Sequence, residues 1–315
     1  MDILLSSPGI FFAVGLLLSR LNKNVHLPRE LIRFLSIYLV ISIGLKGGKE
    51  LRLLEVLLAA KAVGLGVFLG LIQGAMLFYG LRYFSKFGSE KSASLAAHYG
   101  SVSVGTFMVA VTFLKGEGIP FESELYLFLV AMECPAILIA LGLHQVHQAQ
   151  SGFHLPTILR KVFYHETIVA LLFGLVVGTV ADVAFLDSLK PFYGDLFVGV
   201  LTFFMLSMGM EAGHYWDQIK DVGLKFVWWG VGLQLFGAVC GLIAGASFGF
   251  SAGGTSLLMI LMGSASYIAA PCVMRESLPN ANNSAVFLLS LGITFPINVL
   301  FGVKGYLFIA QAVLG

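Results

Sequence analysis

Residues 93–114 read ASLAAHYGSVSVGTFMVAVTFL, and the polar stretch GSVSVGT, Gly100 to Thr106, falls in the middle of that apolar run. About 20 apolar residues cross a bilayer as a helix, so the run is long enough to span one. Glycine, serine and β-branched residues weaken helix where they cluster, so the spacing predicts a broken span. Residues 255–274, TSLLMILMGSASYIAAPCVM, repeat the pattern with GSASYIAAP from Gly263 to Pro271, where the proline also removes a backbone donor. Irregular backbone at membrane depth is tolerated only where protein or a water-filled cavity satisfies it. Two such breaks in one chain therefore point to a polar site inside the membrane.

The rest of the sequence agrees with an all-α polytopic membrane protein. Of 315 residues 58% are hydrophobic and 11% charged, with a mean hydropathy of +0.91. That composition leaves no room for an attached aqueous catalytic domain. A net charge of +2 supplies no basic surface for a nucleic acid. Cys134, Cys240 and Cys272 are scattered through apolar segments and read as small core residues, not as a disulfide framework or metal cluster. The first apolar run, Ile3 to Leu18, follows Asp2 and ends at Ser19 and Arg20 without a small-x-small cleavage signal, and reads as a first span.

Apolar runs near 3–19, 31–45, 53–80, 93–114 and 123–143, then 166–186, 192–210, 222–247, 255–274 and 284–312, predict ten transmembrane helices. The domain reading is an N-terminal five-helix repeat over 1–145, a cytoplasmic linker over 146–165 and a C-terminal repeat over 166–315. Loops after the odd spans hold Arg20, Lys23, Arg29, Arg33, Arg82, Lys86, Lys91, Arg160, Lys161, Lys220, Lys225 and Arg275. The opposite side holds only Lys46, Lys49, Arg52, Lys115 and Lys190. The positive-inside rule then places the odd loops in the cytoplasm and both termini outside it, in the cell's inner (plasma) membrane. Four landmarks recur in the same order in both halves: IGLKGG at 43–48 with MGMEAG at 208–213, GSVS at 100–103 with GSAS at 263–266, Ile119-Pro120 with Leu278-Pro279, and Pro135 with Pro296. Each half holds an odd number of spans, so the second must be inverted, the plan of many secondary transporters with a site near the midplane. The glycine ladders Gly66, Gly70, Gly74 and Gly237, Gly241, Gly245, Gly249 read as close helix packing.

Either polar stretch alone would be ordinary small-residue packing; their matched positions assign them to a site. The expected substrate site is Gly100, Ser101, Val102, Ser103, Gly105 and Thr106 with Gly263, Ser264, Ala265, Ser266 and Tyr267. Half-helix N-termini favour an anion, while freed carbonyls and hydroxyls suit a small cation. Glu133, midway along the fifth span, carries a carboxylate whose insertion costs roughly 2.5–3.5 kcal/mol, and so calls for a cation or proton partner. The expected sodium ligands are Ser103, Thr106, Glu133, Ser264 and Ser266, with sodium as the coupling ion. Glu211 reads as a solvated residue at a span end. Gly245–Gly249 fits G-x-S-x-G, but no strand precedes it, so Ser247 reads as packing. His144 and His147 have helical metal-ligand spacing and stand near His154 and His165; solvated loop histidines are the simpler reading.

In order and spacing, IGLKGG at 43–48, GSVSVGT at 100–106, ECPA at 133–136, MGMEA at 208–212, SASYIAAP at 264–271 and LPNANNSA at 278–285 resemble the sodium-dependent bicarbonate transporter family of the cyanobacterial carbon-concentrating system. The resemblance implies a homotrimer of ten-span protomers in the lipid bilayer, each with gate and core domains and broken helices 4 and 9. It also implies bicarbonate and sodium bound where those helices cross, and a PII-like regulator at the cytoplasmic face. It supports Gly100, Ser103, Thr106, Ser264 and Ser266 as site residues and places Glu133 where those members carry Asp. Two features depart from the family pattern. Tyr267 stands in place of an Asp, with Ala269 and Ala270 in place of a Ser-Gly pair, and the cytoplasmic linker is shorter. The function expected is secondary active import of a small anion, bicarbonate first, by sodium symport with alternating access, and not an enzymatic one. The rival is a sodium- or proton-coupled symporter of a small organic acid on a bile-acid-symporter-like fold.

Overall fold

The computed structural model describes residues 7–22, 25–148, 156, 159–160, 163–215, 223–281 and 283–315, and every regular element among them is helical. Lys23, His154, Lys161, Lys220, Asn282 and the side chain of Cys272 lie outside the described residues. In chain order α1 is Ser7–Leu21, α2 Arg29–Leu53, α3 Val56–Gly80, α4 Ser89–Gly100, α5 Val104–Gly116, α6 Leu125–Met132, α7 Pro135–His147 and α8 Glu166–Val180. Then follow α9 Val183–Ser188, α10 Phe197–Tyr215, α11 Leu224–Phe248, α12 Ala252–Met262, α13 Ala269–Ser277, α14 Asn283–Phe287 and α15 Val303–Leu314. Among the described residues seven helical segments are long and apolar enough to cross a membrane: 29–53, 56–85, 89–116, 125–147, 191–214, 224–248 and 283–314. Pro8–Leu21, Glu166–Val180 and Ala252–Met262 are shorter apolar helices.

Local chemistry sets the boundaries. Ser103 caps α5 by accepting from the Thr106 N–H, and Ser251 caps α12 by accepting from the Gly254 N–H. Gly249 ends α11 in the left-handed region at φ 74°, a conformation glycine adopts without a Cβ penalty. This glycine is thus a terminator, whereas the ladder reading made it a packing residue. The expected run 166–186 stops at Val180: Ala181 is extended, and Asp182 starts the separate helix α9 by accepting from the Phe185 N–H. The last apolar segment is wound as π-helix over Leu288–Thr294 and Asn298–Gly302, on either side of Pro296, which has no N–H to donate.

Helices gather into two groups. In one, α1 lies along α10 and α2 along α8; in the other, α3 to α7 pack with α11 to α15. Backbones meet at glycine in the first group. A Cβ at Gly44 or Gly48 would lie 2.4 Å or 2.3 Å from the carbonyl oxygens of Leu171 and Leu175, and one at Gly209 would lie 2.1 Å from that of Phe12. Gly44 and Gly209 are the matched glycines of the two related motifs, and each brings its helix onto a partner backbone. Salt bridge Arg33–Glu166 ties one end of the α2–α8 pair, and Arg52 Nη1 donates to the Ala181 carbonyl at the other, at 2.7 Å. In the second group the ladders do serve close packing, but on non-equivalent partners. Gly66, Gly70 and Gly74 face Ala131, Pro135 and Ile139 of the α6–α7 segment, while Gly237, Gly241 and Gly245 face Met262, Met259 and Thr255 of α12.

Candidate functional site

Both polar stretches interrupt helix. Residues 101–103 separate α4 from α5, and residues 263–268 separate α12 from α13. The second interruption is bonded to the first and to the last turn of α4: the Ser103 N–H donates to Ser264 Oγ at 3.0 Å, and the Ser266 N–H donates to the His98 carbonyl at 2.7 Å. Residues 161 positions apart in sequence are thereby held at one crossing.

A small buried void of about 10 Å³ lies beside it, lined by Ser103, Glu133, Thr167, Ser266, Tyr267 and the apolar side chains of Val102, Val104 and Ile268. Ser103 Oγ stands 2.8 Å from Thr106 Oγ1. Ser266 Oγ accepts from the Ala270 N–H at 3.2 Å, in the first turn of α13. The side chains of Glu133 and Tyr267 are buried at 3% and 7% exposure, and Glu133 Oε2 and Tyr267 Oη have no hydrogen-bond partner. A buried acceptor of that kind is costly unless a cation or proton meets it. The N-terminal ends of α5 and α13 flank it, supplying the positive ends of two helix dipoles.

Other expected ligands are arranged differently. Ser101 Oγ donates to the Glu133 carbonyl at 2.8 Å, which orients the carboxylate's own backbone and leaves the hydroxyl outside the void. Ser264 Oγ donates to the Leu261 carbonyl at 3.0 Å while accepting from Ser103, so it fastens the crossing. Gly100 packs on Gly74 and Ala136, and a Cβ at Gly105 would stand 2.1 Å from Tyr267 Oη. Gly263 offers its carbonyl to Asn298, and Ala265 is buried in the apolar core.

Several participants were not singled out from sequence. The C-terminal ends of α4 and α12 leave carbonyls in the interior, and amides from other helices take them. Gln73 Nε2 donates to the Tyr99 carbonyl at 2.9 Å and to the Met262 carbonyl at 2.6 Å, bridging the two broken helices with one group. Asn298 Nδ2 donates to the Gly263 carbonyl at 2.9 Å and is held by Gln234 Nε2, which also reaches Tyr306 Oη. Thr167, at the start of α8, lines the void from the other helix group. Gln73 and Gln234 were visible as polar side chains inside otherwise apolar runs, the class of residue whose burial demands a partner.

Outside the crossing, His144 Nδ1 is 3.0 Å from Ser89 Oγ, His147 stacks edge-on against Phe78 and Tyr79, and no group of three metal-ligating side chains occurs among the described residues. Ser247 is exposed on the last turn of α11. Glu211 is half-buried near the end of α10. Cys134 and Cys240 are free thiols.

No curated protein matches the chain significantly. A family model does, from residue 8 to residue 311, and it describes the Na⁺-dependent bicarbonate transporter superfamily. Taken with seven segments apolar enough to cross a bilayer, that match over nearly the whole length identifies a multi-pass membrane transporter: the chain belongs to the Na⁺-dependent bicarbonate transporter superfamily.

Proposed function

We propose that the chain imports a small anion, bicarbonate, by sodium symport with alternating access. The observation that carries this reading is the void at the crossing, where Glu133 Oε2 is buried without a protein hydrogen-bond partner and two half-helix N-termini converge. The anion lies toward the dipole ends of α5 and α13, against Ser103, Ser266 and Tyr267. Sodium takes Glu133 with the hydroxyls of Ser103, Thr106 and Ser266, and Ser264 holds the geometry between the two stretches. Moving an anion inward against a negative-inside potential costs about 2.3 kcal/mol per charge per 100 mV, which is the physical need for a coupling cation. One sodium per bicarbonate makes the cycle neutral.

The architecture proposed is ten spans in two inverted five-helix repeats, 1–145 and 166–315, joined by the cytoplasmic linker 146–165. Equivalent use of Gly44 and Gly209 supports the repeat, since each seats its helix on the first span of the opposite half. The group α1, α2, α8 and α10 then serves as gate and the other group as core. The rest of the proposal is an inner-membrane homotrimer with both termini outside the cytoplasm and a PII-like regulator at the cytoplasmic face.

Purified protein in proteoliposomes tests the reading. Uptake of labelled bicarbonate is expected to require an inward sodium gradient, and Glu133→Gln is expected to shift the sodium titration. Uptake indifferent to sodium would sink the proposal, and displacement of label by small carboxylates but not by bicarbonate would transfer it to the organic-acid symporter.

A further inference from the structure

A second cavity, lined by lysines among apolar side chains, lies away from the crossing, toward the C-terminal end of α2. It has a volume of about 120 Å³ and is lined by Ser42, Lys46, Lys49, Leu186, Lys190 and Tyr193, among others. The Lys46 ammonium sits 3.7 Å from the centroid of the Phe197 ring. Phe197 is itself buried at 2% exposure, so the ammonium is held against a fixed apolar surface instead of extending into water. Among the described residues Lys46 makes no ion pair, and Glu50, one turn further along α2, does not reach it. Lys49 is 3.5 Å from Asp187, and Lys190 has no carboxylate partner among the described residues. Three lysines thus line one cavity whose lining holds no carboxylate, Asp187 reaching only Lys49 from outside it, and Lys115 at the end of α5 adds a like charge nearby. A recess with low-dielectric walls and one sign of charge focuses its field and concentrates counter-ions.

We propose that this cavity is an anion-binding vestibule, in which Lys46 and Lys190 clasp a small oxyanion and the Tyr193 hydroxyl completes the polar wall. Along α2, Lys46 stands six residues from Val40, roughly 9 Å of helix. Val40 lines a further small void together with Gly105 of the crossing. The cavity therefore lies on a helix that leads to the substrate site, on the face that the charge distribution turns away from the cytoplasm. Its place on the transport route rests on the proposed function; its affinity for an oxyanion does not.

The test is protection of lysines from acylation by an N-hydroxysuccinimide ester, mapped by mass spectrometry on the full chain at fixed pH and ionic strength. In lipid-stripped micelles, bicarbonate or inorganic phosphate is expected to slow labelling of Lys46 and Lys190 severalfold and leave the exposed loop residue Lys86 unchanged. Protection found only in nanodiscs containing anionic phospholipid would identify the oxyanion as a lipid phosphate. No protection under either condition overturns the site. Lys46→Arg, which keeps the charge, is expected to preserve protection of Lys190, and Lys46→Gln to abolish it. On the transport route, Lys46→Gln raises KM for the anion by about tenfold with kcat unchanged, in line with lost charge focusing. An unchanged KM removes the cavity from the route. Should uptake prove independent of sodium or bicarbonate while protection persists, the proposed function fails and the anion site stands.

Discussion

At Gly105 a single methyl group would compete with the Tyr267 hydroxyl for the same space. A Cβ there would stand 2.1 Å from Tyr267 Oη and 3.2 Å from Phe204 Cε1, so Gly105→Ala forces the tyrosine out of the void. Overpacking of this kind costs about 1–3 kcal/mol, and here it also displaces a group lining the site. Tyr267→Phe tests the hydroxyl itself. It removes a buried polar atom that has no partner, so the melting temperature of the ligand-free protein should hold or rise. Transport should nevertheless fall if the proposed site is right, because the hydroxyl is the only polar side-chain atom Tyr267 offers to the void. In the pair Gly105→Ala with Tyr267→Phe, the nearest side-chain atom of residue 267 recedes to 3.5 Å, and thermal stability should recover relative to Gly105→Ala alone. Thermal unfolding in detergent and uptake in proteoliposomes measure the two effects separately. Undiminished uptake by Tyr267→Phe would exclude the hydroxyl from ligand binding.

At the scale of elements, a broken helix must dispose of the carbonyls it frees, and here neighbouring amides accept that task. Gln73→Leu withdraws the donor from two buried carbonyls at once, and Asn298→Leu withdraws it from a third. Each substitution is expected to destabilise by about 1–3 kcal/mol, the cost of leaving buried acceptors unpaired. Because Met262 and Gly263 are adjacent, the two losses should be non-additive in a double-mutant cycle of thermal unfolding; strict additivity would mean that the amides act independently. The positions of the breaks were legible in sequence because weak helix formers inside an apolar run are a local signal: residues 101–103 and 263–268 both fall within the stretches chosen. The amide caps were not legible, because Gln73 and Met262 are 189 positions apart and nothing local marks which glutamine meets which carbonyl. For the same reason the hydroxyls of Ser101 and Ser264 could be placed at the crossing but not assigned their acceptors. The ending of α8 at Val180 was missed because hydropathy continues past it, while the cap at Asp182 depends on one side-chain bond.

For the molecule as a whole, the proposed alternating access would require the α1, α2, α8, α10 group to shift against the other group. The two surfaces between them must therefore slide without being locked. Gly47 of α2 and Tyr126 of α6 face each other across that boundary, and a Cβ built on Gly47 lies 3.7 Å from the Tyr126 Cβ. That separation is close to the roughly 3.8 Å typical of disulfides, so cysteines at both positions should cross-link in this conformation. If the groups move as rigid bodies, oxidised Gly47→Cys with Tyr126→Cys is expected to lose uptake and to regain it on reduction, while each single variant stays insensitive to oxidant. Non-reducing peptide mapping would verify the bond and exclude pairing with the free thiols of Cys134 and Cys240. Full uptake by the verified cross-linked protein would mean that the α2–α6 boundary is static, and the motion would then have to lie within the second group, between the broken helices themselves.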